Sequence, residues 1–159
     1  MAVYTNVMKM QDITPGRQGF SPNKSELHDW LNKQILCVIA TNGDDGYPNA
    51  ATVAFSQTED LEFIIITDES SRKSLNIKRD SRVALTITNE NDRYTVQLQG
   101  EARQLSWEEF GTYESIHYAK LPYSLPFKDI AGQAPFLIKP RRIRFSDVSI
   151  RPWLTTDVA

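Results

Sequence analysis

Cysteine and histidine are scarce in this chain: one cysteine, Cys37, and two histidines, His28 and His117, among 159 residues. That excludes a disulfide framework, and three such residues so widely separated make no zinc set, so no metal is expected. Nor is a staple needed, since at this length about 68–70% of the unfolded chain's surface can be buried. An excess of charge of one sign is also missing. Eighteen Lys plus Arg against twenty Asp plus Glu leave a net charge of −2, which excludes a nucleic-acid partner held by bulk charge and confines any anion site to a local patch. No apolar run approaches the roughly 20 residues that span a bilayer, and Met1 to Met10 lacks the apolar stretch of a signal peptide. There is no internal repeat, no low-complexity tract, no Gly-x-Ser-x-Gly elbow and no Walker loop. These absences imply one cytoplasmic domain over residues 1–159, without a membrane partner.

What the chain does contain is a series of short runs rich in β-branched residues. Residues 1–20 carry Pro15, Gly16 and Gly19 among polar groups and read as an extended arm. A helix follows, which Ser21 or Asn23 can cap; Glu26 lies three residues after Asn23, and Leu27, Trp30 and Leu31 make one apolar face that ends near Gln34. Six strands are then predicted, over Ile35–Thr41, Ala50–Gln57, Leu61–Thr67, Val83–Thr88, Tyr94–Leu105 and Phe136–Phe145. Asn42 to Pro48 and Thr58 to Asp60 have the length and chemistry of hairpin loops, so the early strands are antiparallel. Two more helices are expected, one over Ser70–Arg79 and one opened by a Ser106/Glu109 capping box and continuing through Phe110, Tyr113 and Ile116. The proline-studded stretch Leu121 to Pro135 reads as a loop or a lid. The predicted fold is mainly β, an antiparallel six-stranded barrel with flanking helices, because closure removes exposed sheet edges.

Chemistry concentrates where a buried strand ending at Thr67 runs into a helix with Arg72 and Lys73 in its first turn. A helix N-terminus is partly positive, so cations there cost a few tenths of a kcal/mol unless an anion compensates. A phosphate would do so, taking hydrogen bonds from free backbone N–H groups and from Ser70 or Ser71 and pairing with both cations. The alternative is a solvated basic helix, since Lys78, Arg79 and Arg82 follow closely. Cys37, mid-strand, suits a small buried hydrophobe. His28 sits beside Asp29 on a polar helix face, and the adjacent pairs Asp44–Asp45 and Glu108–Glu109 point in different directions and form no acid/base dyad. In the basic stretch from Lys139 to Arg144, alternation puts Arg142 and Arg144 on one face and Arg141 with Ile143 and Phe145 on the other.

The run from Ala51 through Leu105 resembles the flavin-binding core of the pyridoxamine 5′-phosphate oxidase-like split-barrel family. The resemblance is carried by Thr52-Val53-Ala54-Phe55, the strand end Ile66-Thr67, the Ser71-Arg72-Lys73 turn, Arg82-Val83, and Gly100-Glu101-Ala102 before Leu105-Ser106, with spacing from Ala51 to Gly100 that needs no insertion or deletion. It implies an FMN-binding split barrel that forms a homodimer with flavin at the subunit interface. Thr67, Arg72 and Lys73 would hold the phosphate, with Ile66 and Ser71 also in the cofactor site, while backbone at Thr52, Val53 and Ala54 would edge the isoalloxazine. Trp153, after the Arg151-Pro152 turn, would either stack on flavin or plug the barrel's open end. Departures are as informative: Ala51 stands for an arginine, and Thr95 for a flavin-contacting glutamine. Ser56 replaces the lysine that binds the substrate's phosphate. Tyr113 matches a substrate tyrosine, but a nearby substrate arginine has become His117 and a later serine Leu121. The expected function is an FMN-dependent oxidoreductase passing hydride or electrons between a small organic substrate and the flavin, with no side chain assigned as catalytic. The alternatives are pyridoxamine 5′-phosphate oxidase itself, a deazaflavin- or haem-binding relative, or an electron carrier without a substrate.

Overall fold

The computed structural model describes residues 18–158, so the expected arm over residues 1–20 lies outside it except for its last three positions. Those are anchored to the protein: the Phe20 backbone N–H donates to Asp147 at 2.9 Å, and the Phe20 ring stacks on Tyr94 with centroids 5.5 Å apart. Helix α1 (Lys24–Asn32) begins as its sequence predicts, with Asn23 and Glu26 forming the capping box and Leu27, Trp30 and Leu31 buried.

Eight antiparallel strands follow: β1 (Leu36–Asn42), β2 (Pro48–Ala54), β3 (Ser56–Gln57), β4 (Phe63–Asp68), β5 (Arg82–Asn89), β6 (Tyr94–Gln104), β7 (Gln133–Asp147) and β8 (Leu154–Asp157). They form one sheet in the order β2-β1-β5-β6-β7-β4-β3, with β8 added alongside β7. Its two ends, β2 and β3, are separated in the chain by Phe55 alone. The run expected over Ala50–Gln57 therefore breaks there and changes partner, with Val53 opposite Cys37 on β1 and Ser56 opposite Ile64 on β4. The sheet curls until its ends meet on one stretch of chain, which is a split barrel, and the prediction of six strands becomes eight because one divides and β8 is new. Inward residues alternate along the strands as a half-buried sheet requires; Cys37 and Ile39, Leu85 and Ile87, Val96 and Leu98, and Ile143 and Phe145 are all buried.

That alternation fails at Arg141, which is exposed instead of facing inward with Ile143. Gln99 pairs with Arg142 but Gly100 with Pro140, so Arg141 is the extra residue of a β-bulge. A Cβ at Gly100 would run into the Lys139 backbone carbonyl, so this close approach requires glycine.

Helix α2 (Arg72–Arg79) occupies its predicted place. The helix expected after Ser106 is cut in two. Its capping box forms, but α3 (Trp107–Phe110) stops before Gly111 and α4 (Glu114–Lys120) starts afresh after Tyr113. Within Leu121 to Pro135 the segment Pro122–Asp129 is 3₁₀-helical, with one proline at its start and Pro126 inside; prolines remove the N–H groups that an α-helix would need. Among the described residues no helix is long and apolar enough to cross a membrane.

Candidate functional site at the strand-to-helix turn and the adjoining cavity

The turn from β4 into α2 is built by local hydrogen bonds. Asp68 accepts from the Ser70 backbone N–H at 2.7 Å and from the Ser70 hydroxyl at 2.6 Å, which holds its carboxyl below the usual carboxylate range. Ser71 is the helix cap, accepting from the Ser74 backbone N–H, while the Ser74 hydroxyl donates to the Asp68 carbonyl at 2.7 Å. Both serines are thus engaged within the turn. Arg72 and Lys73 occupy the first two helical positions, where their backbone N–H groups find no acceptor among the described residues. Arg72 is exposed and donates to the Asn49 side chain at 3.2 Å. Lys73 is half-buried and donates to the Ser71 hydroxyl at 3.3 Å; burial lowers its pKa, with Asp68 opposing that shift. Among the described residues neither cation has a carboxylate in hydrogen-bond contact.

Facing this turn is a sheet edge that is unpaired among the described residues. β2 pairs with β1 on one side and stands at the end of the strand order on the other. The Phe55 backbone N–H donates to the Ile35 carbonyl at 3.1 Å. Antiparallel alternation then turns the N–H and C=O groups of Val53 toward β1 and those of Thr52 and Ala54 away from it.

Beyond that edge opens a cavity of about 210 Å³ between Ala54, Ile66, Thr67 and the 3₁₀ segment, with Leu121, Tyr123 and Phe127 on its far side. His117 lines it from α4. Its Nδ1 lies 2.9 Å from the Ser56 hydroxyl, both residues being buried. Burial is the main reason the His117 pKa is pushed down to about 4, with the Lys120 charge adding to it. Lys120 itself faces another way. It donates to the Leu31 carbonyl at 2.9 Å and the Gln57 side-chain carbonyl at 2.6 Å and lies 3.7 Å from the centroid of the Phe55 ring, and desolvation lowers its pKa to about 7.

The sequence profile described as pyridoxamine 5′-phosphate oxidase matches residues 24–147, well over half of the chain. The chain belongs to the pyridoxamine 5′-phosphate oxidase family. It is 29% identical over 101 residues to the pyridoxine/pyridoxamine 5′-phosphate oxidase of Haemophilus influenzae, a match covering 64% of this chain and 46% of that one, so it spans less than half the length of this curated relative. Among solved structures it is similar to a haem-binding protein from Mycobacterium smegmatis, with a TM-score of 0.70 at 17% identity, covering 86% of this chain and 59% of that one. It is also similar to a pyridoxamine 5′-phosphate oxidase-related, FMN-binding protein from Nostoc punctiforme, with a TM-score of 0.64 at 13% identity, covering 89% of this chain and 100% of that one. At these identities the structural likeness establishes the split-barrel fold.

Of the residues that the family resemblance singled out, Ala54, Ile66, Thr67 and His117 meet at one cavity, with Ser56 held by His117. Ser71, Arg72 and Lys73 lie next to them where β4 enters α2. Tyr113 caps α4 one turn before His117 and packs against the apolar cluster of Ile64, Leu105, Phe110 and Leu137, outside the cavity. Thr95 is on β6, opposite Thr88 and Ser146, with β1 and β5 between it and β2. Trp153 is exposed with Arg151 stacked 4.4 Å from its ring centroid, so within one chain it plugs nothing. Arg142 and Arg144, on their predicted common face, share Asp157 of β8. His28 lies 3.8 Å from Asp29. Cys37 is buried with its thiol pushed up to about 12 by desolvation, which suits packing and not nucleophilic attack. Sequence reasoning missed Asn49, Tyr123, Phe127 and Gln133. Their only signal was proximity to punctuation, Pro48 for Asn49, Pro122 and Pro126 for Tyr123 and Phe127, and Gly132 and Pro135 for Gln133.

Proposed function

We propose that this chain binds FMN and works as a flavin-dependent oxidoreductase in a homodimer. The observation that carries the reading is the pair Arg72 and Lys73, two cations at a helix N-terminus that, among the described residues, have free backbone N–H groups, no carboxylate contact and an unpaired strand edge beside them. The donor set suits a phosphate, because two charges and aligned N–H groups there lack an anion. The edge of β2 suits a ring with hydrogen-bonding groups on its rim, since Thr52 and Ala54 offer alternating donors and acceptors. The FMN-binding relative of the same fold supports the choice of group.

When bound, the flavin supplies the hydride or electron chemistry. The chain's own part is to anchor the phosphate at Arg72 and Lys73, orient the ring along Thr52 to Ala54, and present the cavity lined by His117 to a second reactant. Thr95 and Trp153, distant from this place in one chain, would serve a site to which a partner copy contributes. One outer face of the sheet supports that reading. Leu36 and Val38 of β1, Ala50 and Thr52 of β2, and Ala84 and Thr86 of β5 point outward, carry no charge, and include a Leu36 that is 56% exposed. Burying such a surface in a symmetric pair is favourable by about 25 cal/mol per Å² of apolar area.

The experiment is to purify the protein, record its absorption spectrum and identify the acid-released pigment by chromatography. FMN at about one equivalent per chain is the expected result. A Soret band, a deazaflavin spectrum, or no uptake of added FMN would overturn it. Measurable turnover of pyridoxamine 5′-phosphate would instead assign the relatives' named activity.

A further inference from the structure

We infer that the cavity roofed by the 3₁₀ segment selects an uncharged, planar compound bearing a carbonyl oxygen or ring nitrogen, recognised by His117 Nε2, and rejects phosphate esters. The inference rests on the flavin reading for what is done to that compound, and not for its capture.

The lining decides the charge. It contains no lysine or arginine, and its one formal charge is the Asp68 carboxylate, kept ionised by its two bonds from Ser70. The cations adjacent in sequence to lining residues are engaged elsewhere, Lys120 with Leu31, Gln57 and the Phe55 ring, and Lys128 with Glu114. His117 adds no charge either, because burial holds the imidazole neutral at pH 7. A phosphate dianion entering this space would lose its hydration against a lining that offers no cation, and would meet a carboxylate whose neighbouring ammonium, Lys73, lies outside the lining.

The polar groups decide what is recognised. Among the described residues the buried Ser56 hydroxyl has one partner, His117 Nδ1, so satisfying the hydroxyl hydrogen requires it to donate there. That leaves Nε2 as the protonated nitrogen and the one available to a ligand, a neutral donor that pairs with a neutral acceptor. Ser124 is already committed, its hydroxyl donating to the Leu121 carbonyl at 2.7 Å. The walls decide the shape. Ala54, Ile66 and Leu121 are aliphatic, Tyr123 and Phe127 offer ring faces, and a volume of about 210 Å³ admits a small ring and not an extended chain.

The test uses the full chain, loaded with FMN and free of it, and three matched probes titrated by calorimetry: 4-(hydroxymethyl)benzaldehyde, its phosphate monoester, and 4-methylbenzyl alcohol, which lacks the carbonyl. The neutral aldehyde is expected to bind at least about tenfold more tightly than its phosphate ester, the scale of one charge-assisted contact. The methyl probe should bind more weakly than the aldehyde. His117→Phe should erase the difference between aldehyde and methyl probes. Tyr123→Lys, a change at an exposed lining position that leaves the core intact, should narrow or reverse the discrimination against the ester. Equal or tighter binding of the ester by the unmodified chain, no binding of the aldehyde, or a carbonyl preference that survives His117→Phe would each overturn the inference. Discrimination without FMN uptake would sink the flavin reading alone, whereas FMN uptake with a preference for the ester would sink the inference alone.

Discussion

Replacing Arg72 and Lys73 together by alanine separates cofactor binding from folding. On the binding side, a charge-assisted hydrogen bond contributes about 1.5–3 kcal/mol. Loss of two would sum to about 3–6 kcal/mol; discounted to the low end because neighbouring residues on one ligand are not additive, it predicts about 3 kcal/mol, or a weakening of FMN affinity by about a hundredfold. On the folding side the structure predicts little. Arg72 is exposed and makes one bond, at 3.2 Å to Asn49. Lys73 is half-buried, depressed in pKa by desolvation, and bonded only to the Ser71 hydroxyl at 3.3 Å. Both cations oppose the helix dipole, so their removal returns a few tenths of a kcal/mol each. The Ser71 cap and the Asp68 turn, which form the helix start, are untouched. A net change below about 1 kcal/mol shifts the melting temperature by no more than about 2–4 °C at this size. The assay is a flavin-fluorescence titration alongside thermal unfolding. A double variant that keeps FMN within threefold of the parent affinity refutes the assigned anchor, and one that unfolds refutes the claim that these charges are dispensable to the barrel.

Gly100→Ala should destabilise the barrel by about 1–3 kcal/mol, read from the urea midpoint, because its Cβ meets the rigid Lys139 carbonyl at the bulge; an unchanged midpoint would mean that the bulge relaxes freely. Lys120 sets a pH dependence. Burial lowers its pKa to about 7 from the ordinary lysine value of 10.5, so above pH 7 the unfolded chain binds the extra proton and stability rises with pH. Cys37, raised from 9.0 to about 12, works in the opposite direction only above pH 9. Denaturant unfolding between pH 7 and 9 should therefore show a rising stability that Lys120→Met flattens, and a slope retained in that variant would contradict the burial of this ammonium. For assembly, Leu36→Glu with Val38→Glu puts charges on the uncharged outer face, and sedimentation should show a monomer with reduced flavin retention; an intact dimer would place the interface elsewhere.

Legibility in the sequence followed the range of the interactions. The Asn23/Glu26 and Ser106/Glu109 boxes, the hairpin loops and the Ser71 turn were readable because each is a contact between residues a few positions apart. The break at Phe55 was not. Phe55, Ser56 and Gln57 are buried in succession, and two-residue alternation has no way to represent a strand that changes partner and seals a barrel. Arg141 was misplaced for a related reason, although Gly100 and Pro140 inside predicted strands were a signal for a bulge. The four residues of β8 were too short to stand out, and their place depends on Asp157 reaching Arg142 and Arg144.

The candidate site divides along the same line. The phosphate anchor was visible in sequence as two cations misplaced at a helix start, because a helix carries its own dipole wherever it is folded. The character of the adjoining cavity was not visible, because charge and protonation there depend on segments far apart in the chain. Ser56 meets His117 across 61 residues, and Lys120 is turned to Gln57 across 63. Residue identity determined which groups could carry charge; only the tertiary fold, by burying one imidazole and occupying one ammonium, decided that the lining of the cavity carries no positive charge.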